Sequence, residues 1–283
     1  MAIEARSLKD IHDGILASPE DDGLRREFAT ILETGPNATE ADKSRARYIR
    51  LQLRLASMWP DHPEWMRLAT EALSLGLRYQ NDWIPELYRD DGVRDVEFHR
   101  GFLEQMTVRA ETFFGNREEF FLEAPLQHLD IVELSEDFTL RMLFNARFQA
   151  NRAFRNIRSL RLDGQGISDA DVSFLASLPW VNLRWFSLAH NEIGGVGVQA
   201  LLDSSLSQLE FVDLHNNPVD PVEQLIYDQD AVVETVPTSW MKDFPDVRWL
   251  RREVVGGQVV YPRRFEVGSE RAEPEAQAEV VFA

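Results

Sequence analysis

The sequence predicts an α/β protein: a small N-terminal bundle of helices, then a short solenoid whose parallel strands line its concave face, with helices outside. Three observations predict this class. Amphipathic helical segments fill the first 90 residues, residues 93–108 are rich in β-formers, and one apolar pattern recurs at a fixed interval after residue 157. The predicted organisation is a helical domain, a connector and repeat region with irregular caps, and a tail whose acidic composition predicts disorder: residues 1–90, 91–265 and 266–283.

Four helices make up the predicted bundle. Ser7 is the expected N-cap of the first helix, which breaks at Ser18-Pro19 before a second helix that ends near Gly35. A third helix is predicted over 40–58 and a fourth over 64–77. The third helix carries four arginines that we expect to be solvated or paired with nearby carboxylates: Arg45, Arg47, Arg50 and Arg54.

The middle of the chain changes character. Residues 93–108 predict one or two strands with a bend at Gly101. Residues 111–123 predict a helix whose four phenylalanines have a spacing typical of a core: Phe113, Phe114, Phe120 and Phe121.

Three segments align without gaps on the pattern L-x-x-L-x-L-x-x-N-x-L, the pattern of leucine-rich repeats. They begin 26 residues apart, at residues 157, 183 and 209. Each repeat predicts a short strand followed by a helix, here over 168–178 and 196–206. The side chains of Asn191 and Asn217 are expected to hydrogen-bond backbone groups at the turn after each strand, whereas Gln165 departs from the pattern. Degenerate segments near residues 126–131 and 247–250 are interpreted as terminal turns.

The stretch IHDGILASPEDDGLRREFATILE, followed by SRARYIRLQLRLA, resembles the repeat-companion domain that precedes leucine-rich repeats in bacterial proteins. The segment GFLEQMTVRAETFFGNREEFFLEAPLQHLDI resembles the connector that follows that domain, and the repeats resemble the ribonuclease-inhibitor-like class. The resemblance covers about residues 8–220 and departs from the family at Phe28–Glu33, where YADWLEE is usual. It implies a protein-binding scaffold and does not imply any catalysed reaction.

The concave face is the predicted partner-binding surface, because residues between the core leucines point away from the core. Trp185 and Phe211 occupy equivalent positions and predict an exposed aromatic pair, which Trp249 extends if the last repeat keeps register. The alternative is that residues 221–283 fold back and cover them. The predicted binding residues are Ser159, Arg161, Asp163, Trp185, Ser187, Phe211, Asp213, His215 and Trp249.

Composition excludes several function classes. The net charge of −18 disfavours nucleic acid and anionic membranes, and the absence of cysteine excludes disulfides and thiolate metal sites. The chain carries neither an apolar run long enough to cross a bilayer nor a signal-peptide pattern, so we expect a cytoplasmic protein. We expect no metal or other cofactor. His128 and His215 could both lie near the inner surface of the sheet, but intervening strands would separate them, so a two-histidine metal site is disfavoured. Gly194–Gly197 suits a tight helix start better than an anion site.

We therefore expect a non-catalytic protein that binds a basic protein partner through the concave face. Three alternatives remain at this point. The first is an immunity protein or antitoxin that inhibits a toxin enzyme, and the second is a regulatory component that binds through the helical domain. The third is an enzyme of an unrecognised type, although the sequence contains no G-x-S-x-G nucleophile motif. Nothing in the sequence indicates an oligomeric state.

Overall fold

The computed structural model describes residues 6–58, 62–204, 206 and 209–218, together with the backbone of four short strands between residues 233 and 260. The chain divides into two compact units, Met1–Ile157 and Arg158–Ala283. This division lies within the range predicted for the connector and repeats. The described parts are mixed α/β, as the sequence predicts.

The first unit begins with four helices, α1 Leu8–Ala17, α2 Asp22–Thr34, α3 Glu40–Ala56 and α4 Trp65–Trp83. Ser7 caps α1 as predicted, since its hydroxyl accepts from the backbone N–H of Asp10 and the Asp10 carboxylate accepts from the backbone N–H of Ser7. Thr39 and Asp42 repeat this arrangement at α3. The helices bury Ile11, Ile15, Ala29, Ala46, Ile49 and Leu53 in one cluster with Phe102.

Three paired strands follow the helices. After a 3₁₀ turn at Glu86–Arg89, β1 Val93–His99 pairs antiparallel with β2 Phe102–Arg109, and β3 His128–Val132 lies parallel to β2. The predicted bend at Gly101 is confirmed, with φ at +87°. Helix α5, Ala110–Glu123, connects β2 to β3, as expected from its phenylalanine pattern. Three short helices end the unit: α6 Leu140–Leu143, α7 Ala146–Gln149 and α8 Arg152–Asn156.

The β1–β2 turn approaches α3 closely. A Cβ added to Gly101 would lie 2.6 Å from the Ile49 Cα, so only glycine fits there in that conformation. The backbone N–H of Gly101 donates to the Gln52 side-chain oxygen at 2.7 Å. The turn therefore attaches the sheet to the helical bundle.

A buried ion pair strengthens the same junction. Arg25 of α2 and Glu104 of β2 lie 2.5 Å apart, and both side chains are nearly inaccessible to solvent. Arg25 also donates to the carbonyl of Pro19, while Glu104 accepts from Arg100 at 3.0 Å and from the Gln127 amide at 2.9 Å. Every charge in this cluster thus has a partner, which is the condition under which buried charges are tolerated.

The second unit contains strands and helices in alternation. Its described elements are β4 Ser159–Arg161, α9 Asp169–Ala176, β5 Trp185–Ser187, α10 Gly195–Leu202 and β6 Phe211–Asp213. Strands β4, β5 and β6 are parallel neighbours, and α9 packs against α10. Leucines and other apolar residues at the predicted pattern positions are buried: Leu160, Leu162, Phe186, Leu188 and Val212.

The final described strands are β7 Val233–Thr235, β8 Arg248–Arg251, β9 Glu253–Val255 and β10 Gln258–Val260. Strand β8 pairs with β6 antiparallel and places Trp249 opposite Asp213. A repeat in register would run parallel and place Trp249 beside Phe211, so this segment does not continue the repeat geometry. The predicted disordered tail, 266–283, lies outside the described residues.

The buried pair predicts a large asymmetry between two matched substitutions. Glu104→Gln leaves Arg25 charged and buried, and we expect a loss of about 3–5 kcal/mol in the free energy of unfolding. Glu33→Gln removes the carboxylate from the exposed pair with Arg50 and is expected to cost less than about 1 kcal/mol. Urea denaturation measures both variants, and equal losses would contradict the role assigned to Glu104.

Candidate functional site

Parallel pairing brings the predicted binding residues of the second unit into rows. Ser159, Trp185 and Phe211 are register partners across β4, β5 and β6. One row further along, Arg161, Ser187 and Asp213 are partners in the same way. Since side chains alternate along a strand, both rows lie on the sheet face opposite the core residues Leu160, Phe186 and Val212.

Hydrogen bonds join the second row to Asp163, just beyond β4. One Asp163 oxygen, Oδ1, accepts from the Ser187 hydroxyl at 2.6 Å and from the Ala189 backbone N–H at 3.0 Å. Its other oxygen, Oδ2, lies 3.1 Å from the Arg161 Nε. The Asp213 carboxylate accepts from the backbone N–H of His215 at 2.9 Å. Five predicted residues therefore meet in one polar cluster, to which each strand contributes.

The aromatic pair forms, but only half of it reaches the surface. The rings of Trp185 and Phe211 stack with centroids 4.1 Å apart and planes 12° apart. Trp185 is half-buried, whereas Phe211 is 2% exposed, so the prediction of an exposed Phe211 is wrong. The buried Phe211 ring instead stacks against one face of the indole from the neighbouring strand, which restricts the orientation of Trp185.

Burial also removes most of the smaller predicted residues from direct contact with solvent. Ser159, Ser187 and Asp213 are buried, which corrects the expectation that they are available to a partner. Arg161, Asp163 and His215 are partly exposed. The side chain of Trp249 lies outside the described residues.

The two carboxylates of the cluster are electrostatically coupled. Burial, reinforced by the nearby Asp163 charge, raises the pKa of Asp213 to about 7, although the His215 N–H bond and Arg161 oppose the shift. Burial likewise raises the pKa of Asp163, against the Ser187 hydrogen bond and the Arg161 charge. A cation that approached this cluster would favour the ionised forms of both carboxyls.

His190, an exposed residue at this edge, is not among the predicted binding residues. His190 adopts a left-handed conformation with φ at 57°, and its ring lies 5.4 Å from that of His215. Asn216, with φ at 55°, forms a 3.1 Å side-chain hydrogen bond to the His190 Nδ1. A signal was present: Gly164, His190 and Asn216 recur at the repeat period, and Gly164 is also left-handed, with φ at 66°.

Asparagine side chains hold successive turns together, as predicted. The Asn191 Oδ1 accepts from the backbone N–H groups of Gln165 and Ile167, and its Nδ2 donates to the carbonyls of Leu162, Leu188 and Ala189. Asn217 bonds the next turn, accepting from Ile193 and donating to Leu188, Leu214 and His215. Gln165 instead donates its amide to the Asp163 carbonyl at 2.9 Å, within its own repeat.

The glycine-rich start of α10 is occupied by a side chain of the preceding repeat. The Asp169 carboxylate accepts from the N–H groups of Gly194 at 2.7 Å and Gly197 at 3.0 Å. A Cβ at Gly197 would lie 2.6 Å from that carboxylate. The interpretation of Gly194–Gly197 as a tight helix start is therefore preferred to an external anion site, since Asp169 is the anion.

The arginines of α3 do not form a free basic face. Arg47 pairs with Glu71, Arg50 with Glu33 and Arg54 with Glu64. Arg45 lies among aromatic rings, with its guanidinium carbon 4.6 Å from the Trp83 centroid and 5.0 Å from that of Phe98, and burial lowers its pKa to about 9.

Within the described residues, no group of three or more His, Asp or Glu side chains could hold a metal ion. His128, the other histidine considered for a metal pair, neighbours His99 in the first unit, with ring centroids 5.7 Å apart. None of the helices in the described part of the chain is both long enough and apolar enough to cross a membrane.

Comparison of the chain with family models, with curated proteins and with solved structures finds no match.

The pKa of Asp213 predicts how stability changes with pH. In the unfolded chain the pKa of an aspartate is about 4, whereas burial raises the pKa of folded Asp213 to about 7. The folded state therefore binds more protons between these values, and its stability falls as pH rises through this window. We expect Asp213→Asn, which stays neutral, to be more stable than the wild type at pH 8 by one to a few kcal/mol.

The same comparison at pH 4 removes that advantage, because the wild-type carboxyl is then neutral in the folded state. Urea denaturation of both proteins from pH 4 to pH 8 measures the difference. Two parallel stability curves would show that Asp213 is not perturbed by burial.

Proposed function

We propose that the chain is a non-catalytic protein-binding scaffold, and that its second unit is a short leucine-rich-repeat solenoid of the kind that follows a repeat-companion domain. The fixed 26-residue period, the parallel register of β4, β5 and β6, and the asparagine bonds between turns support the solenoid. Stacked repeats align equivalent side chains into a continuous surface, which is how such proteins bind partners.

The stacked Trp185–Phe211 pair is the single observation that carries this proposal. A partly exposed indole held rigidly by a buried ring loses little conformational entropy on binding, and tryptophan is the residue type most enriched at binding hot spots. The partly exposed Asp163 carboxylate lies on the same sheet face, two rows of side chains further along. The surface thus offers an apolar contact and a carboxylate.

This arrangement favours a basic partner. A basic partner can place one cationic side chain on the Trp185 indole and another at the Asp163 carboxylate, which is partly exposed. The net charge of −18 steers cationic surfaces toward the chain at long range. Arg161 and His215 lie at the margin of the cluster and are partly exposed, so a partner can contact them as well.

The cluster does not resemble a hydrolytic centre. The Ser187 hydroxyl donates directly to the Asp163 carboxylate rather than to a histidine, so it lacks the base that activates a serine nucleophile. The helical-domain alternative is weakened, because three of the four α3 arginines already pair with carboxylates of this chain. Both points support binding through the strands.

Substitution of Trp185 tests the proposal. We expect Trp185→Ala to keep the fold and to weaken partner binding by at least about 2 kcal/mol, which is roughly thirtyfold in Kd. Capture from lysate of the source organism, followed by titration with the purified partner, measures this loss. Val196→Ala on α10 is the matched control, since Val196 is 68% exposed in the same unit but lies outside the strand face.

A basic partner whose affinity falls with rising salt and with Trp185→Ala, but not with Val196→Ala, would agree with the proposal. If that partner is a nuclease or another toxin that the chain inactivates, the chain acts as its inhibitor. Equal binding by wild type and Trp185→Ala would contradict the assignment of the strand face.

A further inference from the structure

Helix α4 carries an apolar stripe that the first unit leaves open to solvent. Met66 is 69% exposed, Leu73 is 62% exposed and Leu77 is 82% exposed. Thr70, also exposed, lies between them on the same side of the helix. The opposite side of α4 is buried through Leu68, Ala72 and Gly76. The helix therefore has one face in the core and a second apolar face that no element of the described residues covers.

The spacing of this stripe is that of a helix–helix seam. Residues 66, 70, 73 and 77 are separated by four, three and four positions, the alternation that keeps side chains facing a partner helix. The order of these intervals is the same in both directions along the helix. Two copies packed antiparallel about a two-fold axis therefore match: Met66 meets Leu77, and Thr70 meets Leu73 of the second copy.

The charged residues around the stripe are compatible with contact between two copies of the chain. A chain of net charge −18 repels itself over most of its surface. Beside α4, however, the charges are neutralised in pairs, because Glu71 binds Arg47 and Glu64 binds both Arg54 and Arg67. Local repulsion between two copies is therefore smaller at this part of the surface.

The antiparallel register also avoids like charges. The pairing that sets Met66 against Leu77 sets Arg78 against Trp65 of the second copy, a cation opposite an aromatic ring. It sets Arg67 against Gly76 and Glu64 against Tyr79. Over residues 65–78, the part of α4 that overlaps its copy in this register, each charged residue thus faces a neutral one, as a self-complementary interface requires.

We propose that the chain self-associates as a two-fold dimer through an antiparallel pair of α4 helices. The seam is one helix wide and smaller than a standard interface, so the dimer is weak, with a Kd of about 1 μM or higher. The proposal is independent of the strand face of the second unit.

Cysteine cross-linking tests both the contact and its direction, because the chain has no cysteine of its own. Met66→Cys and Leu77→Cys are made as separate single variants and oxidised alone and as a mixture. In the antiparallel register the two positions meet, so the mixture forms a cross-linked dimer. Either variant alone does not, since identical positions lie about 16 Å apart along the helices.

Leu122→Cys is the matched control, because Leu122 is 71% exposed on α5 and lies off the stripe. Its mixture with Met66→Cys is expected to remain uncross-linked. Cross-linking of Met66→Cys with itself, as in a parallel pair, would overturn the proposal. So would cross-linking that is equal in the two mixtures.

Sedimentation equilibrium supplies the second measurement. We expect the wild type to show a reversible, concentration-dependent dimer, and Leu77→Arg to shift the Kd at least tenfold toward monomer while keeping the circular dichroism spectrum and thermal midpoint. Leu122→Arg is expected to dimerise like the wild type. A wild type that stays monomeric up to millimolar concentration, or a dimer that Leu77→Arg does not weaken, would overturn the proposal.

Discussion

The second unit depends on one recurring constraint: buried and partly buried backbone groups at the turn after each strand need hydrogen-bond partners. Asn191, itself buried, meets this requirement with five bonds that span two repeats. Asn217 does the same for the next turn. Because each side chain must reach the neighbouring turn, the repeats stack at one offset. That offset aligns Trp185 with Phe211 and Ser187 with Asp213.

In the first unit, the main structural feature is the contact between the strands and the helical bundle. Its junction combines a glycine that permits close approach, Gly101, with a buried charged pair, Arg25 and Glu104. The glycine brings the backbones together, and the ion pair requires both elements to be in place, since either charge alone would be costly.

Local patterns predicted much of this structure. The repeat period placed β4, β5 and β6 and the asparagine bonds, because pattern and structure share one periodicity. Burial on the strand face was harder to predict: Phe211 and Asp213 look solvent-facing in the pattern, yet both are buried, since burial depends on what covers a face. Arg25 could not be recognised as buried either, because its partner Glu104 is remote in sequence. The left-handed backbone conformation of His190 could be predicted only from Gly164, the glycine at the equivalent position one repeat earlier.

Amide hydrogen exchange tests the central claim, that asparagine bonds between repeats set the geometry of the strand face. We expect strong protection of the Ile167 and Ile193 amides, which donate to Asn191 and Asn217. In Asn191→Ala, protection at Ile167 should be lost while amides of α1 and α3 stay protected. Rapid exchange of the Ile167 amide in the wild type, or unchanged protection in Asn191→Ala, would contradict the account.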